Sequence, residues 1–379
     1  MDVTFDRHTL KTLGQLETPA VVVDSDVLKR NIERAAKIAR SAGVALRPHA
    51  KTHKSLTIAQ LQLNSGAVGI TVAKTSEAMV FLRGGIRDIT IAHPLIDPNK
   101  IERITAAAQL SGSRLRLIVD SHAGLSAISA ATKSPVEVLI KIDVGLKRCG
   151  VDPESSAAIE LARAIHTNSS LGFAGIISHA GHSYRATGPD AVRVIAEAER
   201  ATMTAVSSRI LATGIPVPCV SVGSTPTIWL AESFKGITEI RPGNSVFMDL
   251  SQVSLGVADR SDLALSVIAS VVSVNSRYAI IDAGSKVLSS DRGPHGSTRL
   301  SGYGIAQRLA VGMDEMPVVA LSEEHGFVEH QGRAITIGER LRILPNHACT
   351  VVNLARSVVA FDSAGKTVDW PIEAHGCVY

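Results

Sequence analysis

The chain has 379 residues, of which 45% are hydrophobic and 20% are charged, and its net charge at pH 7 is +4. This length predicts two domains, or one barrel with an appendage, and the composition is globular rather than disordered or membrane-embedded. The basic residues are spread along the chain without a clustered basic face. This pattern excludes a nucleic-acid-binding class and favours a small-molecule partner.

Secretion and membrane signals are not visible in the pattern. The longest apolar stretch, Leu263 to Val274, is interrupted by serines and is too short to span a bilayer. Met1 to Arg7 lacks a basic region followed by an apolar one, so we expect no secretory signal, no membrane partner and a cytoplasmic protein. The four cysteines lie far apart, which predicts free thiols and no disulfide framework.

Short β-rich runs alternate with alanine-rich helical patterns, such as Ser25 to Ala42 and Ala191 to Ala212. The predicted strands are Val44 to His49, Val68 to Val72, Asp88 to His93, Arg114 to Val119, Val136 to Asp143, Phe173 to His179, Pro218 to Val222, and Glu239 to Met248. Eight alternations predict a (β/α)8 barrel, whose catalytic residues gather at the C-terminal ends of the strands. The residues that fall there are Lys51, His93, Arg148, His179 and the loop after Val222.

After about residue 255 the pattern changes to strands separated by turns. These predicted strands are Leu263 to Val274, Tyr278 to Asp282, Val318 to Leu321, Leu341 to Leu344, and Val358 to Phe361. We therefore predict an all-β second domain. The predicted domains are 18–255 for the barrel and 256–379 for the β domain, with residues 1–17 as a candidate addition to the β domain.

Lys51 follows the first predicted strand, within Arg47-Pro48-His49-Ala50-Lys51-Thr52-His53-Lys54. Without context, a lysine beside two histidines and an arginine indicates a basic surface loop. At the end of a barrel strand, however, crowding by these cations should lower the pKa of Lys51, and a neutral amine can attack an aldehyde. The segment resembles the lysine segment of fold-type III pyridoxal-phosphate (PLP) enzymes, specifically the D-serine dehydratase and D-threonine aldolase family.

The resemblance extends from Thr18 to about Asn353 and carries several implications. It implies an alanine racemase-like fold, in which a (β/α)8 TIM barrel is followed by a C-terminal all-β domain. It implies that Lys51 holds PLP and acts as the catalytic base. It also implies a homodimer.

A phosphate site is predicted after the seventh strand, where Ser221 to Thr227 offers closely spaced backbone N–H groups and hydroxyls. Glycine-serine-threonine turns are common, but barrels often bind phosphate at the loops after strands seven and eight. The resemblance assigns the phosphate to Gly223, Ser224, Thr225, Gly243 and Asn244.

Three more residues are assigned to the cofactor by the resemblance. Arg148 is similar to the arginine that the family places near the pyridine nitrogen, where a cation makes the cofactor a weaker electron sink. Without the resemblance, a surface ion pair explains Arg148 equally well. His179 and Tyr184 are both candidates to contact the ring or its 3′-oxygen, and the sequence leaves the choice open.

A metal pair is predicted in the β domain, because His347 and Cys349 would face the same way on an extended chain. Two protein ligands leave an open site that water or substrate completes, and thiolate plus imidazole favours Zn²⁺ over Mn²⁺ or Mg²⁺. This spacing often arises by chance. The resemblance supports the metal, since the D-serine dehydratase branch carries a His-x-Cys pair on zinc.

The lysine, the phosphate site and the metal pair together predict a PLP- and metal-dependent lyase that acts on D-β-hydroxy-α-amino acids. The favoured reaction is a D-serine dehydratase-type β-elimination that gives a 2-oxo acid and ammonia. One alternative is D-threonine aldolase-type cleavage to glycine and an aldehyde. Cys349 and the segment His179 to Tyr184 favour the dehydratase, although His182 could supply the aldolase base. A racemase needs a second base, for which Tyr303 is the obvious candidate. A non-enzymatic PLP carrier would not need the β domain.

Overall fold

The computed structural model describes residues 7–297, 299–309 and 314–379. The strands are β1 (Ala20–Asp24), β2 (Ala45–Leu46), β3 (Ile70–Val72), β4 (Asp88–Ile91), β5 (Arg114–Val119), β6 (Val136–Lys141), β7 (Leu171–Ile177), β8 (Cys219–Val222), β9 (Glu239–Ile240), β10 (Leu265–Val274), β11 (Tyr278–Ile281), β12 (Gly304–Arg308), β13 (Met316–Leu321), β14 (Gly326–Glu329), β15 (Arg340–Pro345), β16 (Ser357–Phe361) and β17 (Thr367–Pro371).

The helices are α1 (Arg7–Gly14), α2 (Ser25–Ala42), α3 (Leu56–Asn64), α4 (Thr75–Arg83), α5 (Pro98–Leu110), α6 (His122–Ala131), α7 (Ala157–His166), α8 (Pro189–Leu211), α9 (Thr225–Leu230), α10 (Leu250–Ser254), α11 (Ser285–Leu288) and α12 (Ala348–Leu354). Helices α3 to α9 lie in the parallel-sheet part of the chain, whereas α1 and α10 to α12 lie with the antiparallel strands. No helix in the described ranges is both long enough and apolar enough to cross a membrane.

Contacts group the chain into two compact units. The barrel unit comprises Arg34–Lys51, Ile58–Gly243 and Cys377–Tyr379, and it contains β2 to β9. The β unit comprises the described residues of Met1–Glu33, together with Thr52–Thr57 and Asn244–Gly376, and it contains β1 and β10 to β17. The predicted domains, 18–255 and 256–379, divide the chain differently, because they assign β1 and the segment after Gly243 to the barrel.

The barrel unit has eight parallel strands in the order β2-β9-β8-β7-β6-β5-β4-β3. A parallel bridge between His49 and Thr71, with the Thr71 N–H donating to the Pro48 carbonyl at 2.8 Å, joins the first strand region to β3. The predicted (β/α)8 fold is thereby confirmed. The last strand is shorter than predicted, since Pro242 has no N–H and a 3-10 turn begins at Asn244.

The β unit contains a closed antiparallel barrel of six strands, in the order β10-β11-β14-β13-β12-β15 and back to β10. Strands β1, β16 and β17 extend the sheet beyond β10. The sequence did not predict β1, β12, β14 or β17. These strands are short, and β17 is largely exposed and lacks the apolar alternation that marks a half-buried strand.

Strand β1 is held in the β unit by long-range pairing. It pairs antiparallel with β10 and parallel with β16. Its Val22 is buried in a cluster with Leu13, Ile268 and Phe361, so α1, β1, β10 and β16 share one core. The strand is therefore stabilised by partners more than 200 residues away in the sequence.

Candidate active site

Lys51 lies directly beyond β2, in a 3-10 turn over Ala50–Thr52, and is half-buried. Its backbone N–H donates to Nδ1 of His49 at 3.4 Å. The turn places Lys51 at the carboxyl end of the first barrel strand, which is where barrel enzymes carry catalytic residues.

Arg47 does not act as the crowding cation that the sequence predicts beside Lys51. The Arg47 side chain is 1% exposed, and its Nε donates to Glu239 Oε2 at 2.7 Å. Its two terminal nitrogens donate to both carboxylate oxygens of Asp88, at 2.7 and 3.1 Å. Two carboxylates therefore compensate the charge of Arg47 inside the barrel.

The loop after β8 has the shape expected of a small-anion cradle. Gly223 has φ of +128°, and a Cβ at this position would lie 2.4 Å from Cδ1 of Ile228. Ser224 is the N-cap of α9, and its backbone N–H donates to Thr227 Oγ1 at 3.1 Å. The hydroxyls of Ser183 and Ser224 lie 3.0 Å apart, and both side chains are buried. Small residues and buried hydroxyls fit a phosphate group.

Glu199 of α8 holds this loop, and the sequence analysis missed it. Its carboxylate accepts from Ser178 Oγ at 2.6 Å, from the Gly223 N–H at 3.2 Å and from Thr227 Oγ1 at 3.4 Å. One signal was present in the sequence: Glu199 shares the buried face of its helix with Val192, Ala196 and Met203. A carboxylate in an apolar stripe must find hydrogen-bond donors inside the protein.

Two more buried cations lie at the carboxyl ends of barrel strands. Arg241, just beyond β9, donates through Nε to Ser221 Oγ at 2.7 Å and through Nη2 to the Ser178 carbonyl. Lys141 ends β6 and is 5% exposed. Burial, followed by the charges of Arg241 and Arg148, lowers the pKa of Lys141 to about 7. The sequence analysis did not single out Lys141, because a buried lysine cannot be told from a surface one by residue type, and it included Arg241 only as part of the segment Arg241 to Asn244 beside the phosphate.

The residues predicted near the cofactor ring are all in the barrel unit. Arg148 is exposed in the loop after β6. His179 follows β7, and its Nδ1 lies 3.0 Å from the Gly223 carbonyl. Because a carbonyl only accepts, Nδ1 is the donor in this contact. Tyr184 is 7% exposed in a 3-10 turn over Gly181–Arg185.

Gly243 ends the barrel unit, whereas Asn244 belongs to the β unit. Asn244 Nδ2 donates to Asp249 Oδ2 at 2.6 Å, and its buried Oδ1 has no hydrogen-bond partner among the described residues. A buried carbonyl oxygen without a partner is costly, so Oδ1 suits a hydrogen-bond donor such as water. A phosphate oxygen only accepts, so the group of Asn244 that matches it is the second hydrogen of Nδ2.

His347 and Cys349 contact each other in the β unit, but not on an extended chain as predicted. His347 is extended (φ −140°, ψ 106°) and caps α12, while Cys349 lies in the first turn of that helix. The argument from alternating strand positions was therefore wrong. The two side chains still form a hydrogen bond, because residues at the cap and in the first turn project from the same helix end.

Carboxylates around this pair set its charge. Burial alone would lower the pKa of His347, but Cys349, Asp291 and Asp249 raise it to about 10. The His347 Nδ1 lies 2.7 Å from Asp291 Oδ2, which orients the ring so that Nε2 is available to a metal ion. The Cys349 thiol lies 3.3 Å from Thr52 Oγ1.

The donor set fits an open metal site. Among the described residues, no group of three or more His, Cys, Asp or Glu side chains is arranged to hold a metal. One imidazole and one thiolate, with a carboxylate on the far nitrogen of the imidazole, is a suitable partial set for Zn²⁺. The sequence analysis did not identify Asp291, which lies 56 positions before His347.

Two family models match the chain. The model described as alanine racemase, N-terminal domain, matches residues 23–251. The model described as putative serine dehydratase domain matches residues 264–361. Together they cover parts of both units.

Characterised relatives match nearly the whole chain. D-threo-3-hydroxyaspartate dehydratase of Delftia sp. (strain HT23) is 37% identical over 376 residues, which cover 95% of this chain and 98% of the relative. D-serine dehydratase of Dictyostelium discoideum is 32% identical over 368 residues, covering 89% and 91%. D-threonine aldolase of Arthrobacter sp is 29% identical over 375 residues, covering 96% and 94%.

Solved structures of D-threo-3-hydroxyaspartate dehydratase share the fold. A histidine-to-alanine mutant and a cysteine-to-alanine mutant in the metal-free form each have a TM-score of 0.89 and 36% identity. Each match covers 95% of this chain, and 95% and 98% of the respective solved chains. The substituted histidine and cysteine are two positions apart in that protein. A metal-free form implies that this homologue otherwise binds a metal.

Alanine racemase of Bacillus anthracis, at 15% identity and a TM-score of 0.70, covers 94% of this chain and shares its fold alone. The relatives that match at higher identity are dehydratases and aldolases of D-amino acids, and their family depends on PLP. The chain therefore belongs to the fold-type III family of PLP-dependent D-amino acid lyases that includes D-serine dehydratase and D-threonine aldolase.

Proposed function

We propose that this lyase is a metal-dependent dehydratase, which eliminates water from a D-β-hydroxy-α-amino acid. Hydrolysis of the dehydrated product then takes up one water and gives a 2-oxo acid and ammonia. The observation that carries the proposal is the contact between His347 and Cys349, with Asp291 on the other nitrogen of the imidazole. Solved structures named D-threo-3-hydroxyaspartate dehydratase include a variant with a histidine replaced and a variant with a cysteine replaced, and these two positions have this same spacing.

The cofactor contacts are proposed within the lyase family. Lys51 holds PLP, and the phosphate is bound by Gly223, Ser224, Thr225, Gly243 and Asn244. Arg148, His179 and Tyr184 contact the ring or its substituents. The cradle supports this assignment, because a side chain at Gly223 would collide with Ile228 and because the hydroxyls of Ser183 and Ser224 adjoin the loop.

When bound, PLP supplies an electron sink, and a divalent cation, with Zn²⁺ favoured by the donor set, supplies a Lewis acid for the β-hydroxyl. The chain's own residues do the rest. The amine of Lys51, when it is not bonded to the cofactor, would take the α-proton as a general base. His347 and Cys349 would hold the cation, and Asp291, at 2.7 Å from Nδ1 of His347, would keep the ring oriented with Nε2 towards it.

Aldol cleavage is the second candidate, and one observation favours it. His182 lies in the 3-10 turn after β7, and burial, opposed by Glu199 and reinforced by Arg185, lowers its pKa. A neutral imidazole can accept the proton of a β-hydroxyl, which is the step that precedes cleavage of the Cα–Cβ bond. A relative from Arthrobacter sp carries the name D-threonine aldolase.

A racemase has less support. Tyr303, the candidate second base, has its ring 5.4 Å from the Arg292 guanidinium, and Arg292 donates to the Tyr303 hydroxyl at 3.5 Å. The relatives named above are lyases rather than racemases.

Product analysis tests the proposal. The protein, loaded with PLP and Zn²⁺, is incubated with D-serine, D-threonine and D-threo-3-hydroxyaspartate, and L-serine serves as the stereochemical control. We expect a 2-oxo acid and ammonia in equal amounts, with loss of activity on chelation and recovery on adding metal. Glycine and an aldehyde in place of the 2-oxo acid would establish the aldolase instead.

A homodimer stays a prediction, which sedimentation of the loaded protein would test.

A further inference from the structure

Asp249 is a buried carboxylate that joins two segments to which the proposed function assigns different ligands. It is 2% exposed and lies in the β unit together with Asn244 and Ala348. Its Oδ2 accepts from Asn244 Nδ2 at 2.6 Å and from the backbone N–H of Ala348 at 3.0 Å. One carboxylate oxygen therefore connects a residue proposed for the PLP phosphate to the helix that begins beside the metal pair.

The other oxygen of Asp249 fixes the direction of the carboxylate. Oδ1 accepts from the Gln252 N–H at 3.2 Å, so that Asp249 is the N-cap of α10. An ionised carboxylate only accepts hydrogen bonds, and all three of these contacts are with N–H donors. A carboxylate held by three donors cannot turn towards one of them without weakening its bonds to the other two.

The Asn244 end of this network closes a turn. The Asn244 carbonyl accepts from the N–H groups of Phe247 and Met248 at 3.0 and 2.8 Å, which fixes the backbone just before Asp249. Because Asp249 takes one hydrogen of Asn244 Nδ2, the amide nitrogen faces the carboxylate, and the second hydrogen is the one that suits a phosphate oxygen. A phosphate bound there would hold Asn244, and through it Asp249, in this orientation.

The Ala348 end of the network fixes the start of α12. Ala348 is the first residue of that helix, and His347 is its N-cap. Ser251 of α10 adds a second attachment, because its Oγ donates to the Asn346 carbonyl at 2.6 Å. The two residues that flank His347 are therefore both held by the segment that begins at Asp249.

We propose that Asp249 is a positioning residue that couples these sites, so that bound PLP strengthens metal binding and bound metal strengthens PLP binding. The inference rests on the cofactor and metal assignments of the proposed function and adds a link between them. The ligand that binds first orders the connection from Asn244 through Asp249 to Ala348, and the second ligand then meets a site that is already ordered. Linkage requires each ligand to raise the affinity of the other by the same factor, which we call the coupling factor.

The test measures the coupling factor by binding, without substrate. The dissociation constant of PLP is determined from the absorption of the bound cofactor, in metal-free protein and in protein saturated with Zn²⁺, and the ratio of the two constants is the coupling factor. Titration of Zn²⁺ with and without PLP should give the same factor. We expect a coupling factor of about tenfold or more in the wild type, and a value lower by about fivefold or more in Asp249→Asn. The reason is that the introduced amide nitrogen would face an N–H donor.

Two further variants separate positioning from stability. Asp362→Asn is the matched control, because Asp362 also accepts two backbone N–H groups in the β unit, from Ala364 at 3.0 Å and Lys366 at 2.9 Å. It should keep the wild-type coupling factor. Asn244→Ala cuts the network at its other end and should lower the coupling factor as Asp249→Asn does, so the inference stays testable if Asp249→Asn does not fold.

A coupling factor near 1 in the wild type would overturn the inference, and so would a wild-type coupling factor in either Asp249→Asn or Asn244→Ala. In that second case, weaker binding of both ligands by Asp249→Asn would assign Asp249 to the stability of the fold alone. The reaction products decide the proposed function separately. Glycine and an aldehyde would refute the dehydratase and leave the coupling intact, whereas a 2-oxo acid with a coupling factor near 1 would do the reverse. Absence of Zn²⁺ binding to the PLP-loaded protein would overturn both.

Discussion

The carboxylate of Glu199 accepts the backbone N–H of Gly223 at 3.2 Å, so a buried side chain of α8 holds the loop that follows β8. The same carboxylate accepts from Ser178 Oγ and Thr227 Oγ1. Glu199 thus ties the end of β7, the end of β8 and the first turn of α9 to one helix. A loop fixed in this way loses little entropy when it binds a phosphate.

Replacing Glu199 should therefore weaken cofactor binding. We expect Glu199→Ala to raise the dissociation constant of PLP by about tenfold to a hundredfold, because three donors lose one acceptor. Glu199→Gln should have a smaller effect, since its amide oxygen still accepts. PLP titration followed by the visible absorption of the lysine-bound cofactor measures both. Glu197→Ala is the control, because Glu197 is exposed on the same helix and pairs with Arg200. Equal PLP affinity in wild type and Glu199→Ala would refute the positioning role.

Lys51 should be the residue that holds PLP. Borohydride reduction of the loaded protein, followed by peptide mapping, should place the adduct on the peptide that contains Lys51. Lys51→Ala should abolish both the adduct and turnover. Lys133→Ala should keep both, because Lys133 is an exposed lysine before β6 that pairs with Glu102. A reducible adduct of undiminished yield in Lys51→Ala would show that another amine, such as Lys141, holds the cofactor.

The metal pair should be separable from the cofactor. We expect His347→Ala and Cys349→Ala to lose bound metal and turnover while keeping the absorption of bound PLP. Asp291→Asn should weaken metal affinity by about tenfold to a hundredfold, because the ring of His347 loses its orienting carboxylate. Metal content by atomic spectroscopy and PLP content by absorbance are measured on the same samples, with Cys377→Ser as the thiol control. Wild-type turnover in both alanine variants would end the metal hypothesis.

Lys141 should make the stability of the PLP-free protein depend on pH. Its pKa is about 7 in the fold against an ordinary value of 10.5, so between these values the unfolded chain binds more protons than the folded one. The contribution of Lys141 to the free energy of unfolding should therefore rise with pH from 7 towards 10, by at most about 1.4 kcal/mol per pH unit, and level off below pH 7.

Urea unfolding at pH 7, 8 and 9 checks the Lys141 prediction. The difference between wild type and Lys141→Met isolates this side chain from other groups that titrate in the same range, and Lys147→Met is the exposed control. We expect the stability of Lys141→Met relative to wild type to fall as the pH rises. A difference that stays constant across this range would show that Lys141 keeps its ordinary pKa in the fold.

The sequence determined those features that are encoded by local pattern. Short apolar runs alternate along the chain with segments of helical spacing, and this alternation predicted the eight barrel strands. Strands and helices can be told apart in this way because their side chains return to the same face at different spacings along the sequence. The place of Lys51 after the first of these strands followed from the same pattern. The spacing of His347 and Cys349 predicted a pair of donors, although the pair forms at a helix terminus rather than along a strand.

The tertiary structure decided whatever depends on residues distant in the chain. The assignment of β1 to the β unit follows from pairing with β10 and β16, which no local pattern encodes. Arg47 belongs to the same sequence motif as Lys51, but its guanidinium forms ion pairs with Asp88 and Glu239 instead. Glu199 and Asp291 acquire roles only because folding brings their hydrogen-bond partners within a few ångströms. Hydrogen bonds and ion pairs are short-ranged, so their partners are fixed by the fold and not by position along the chain.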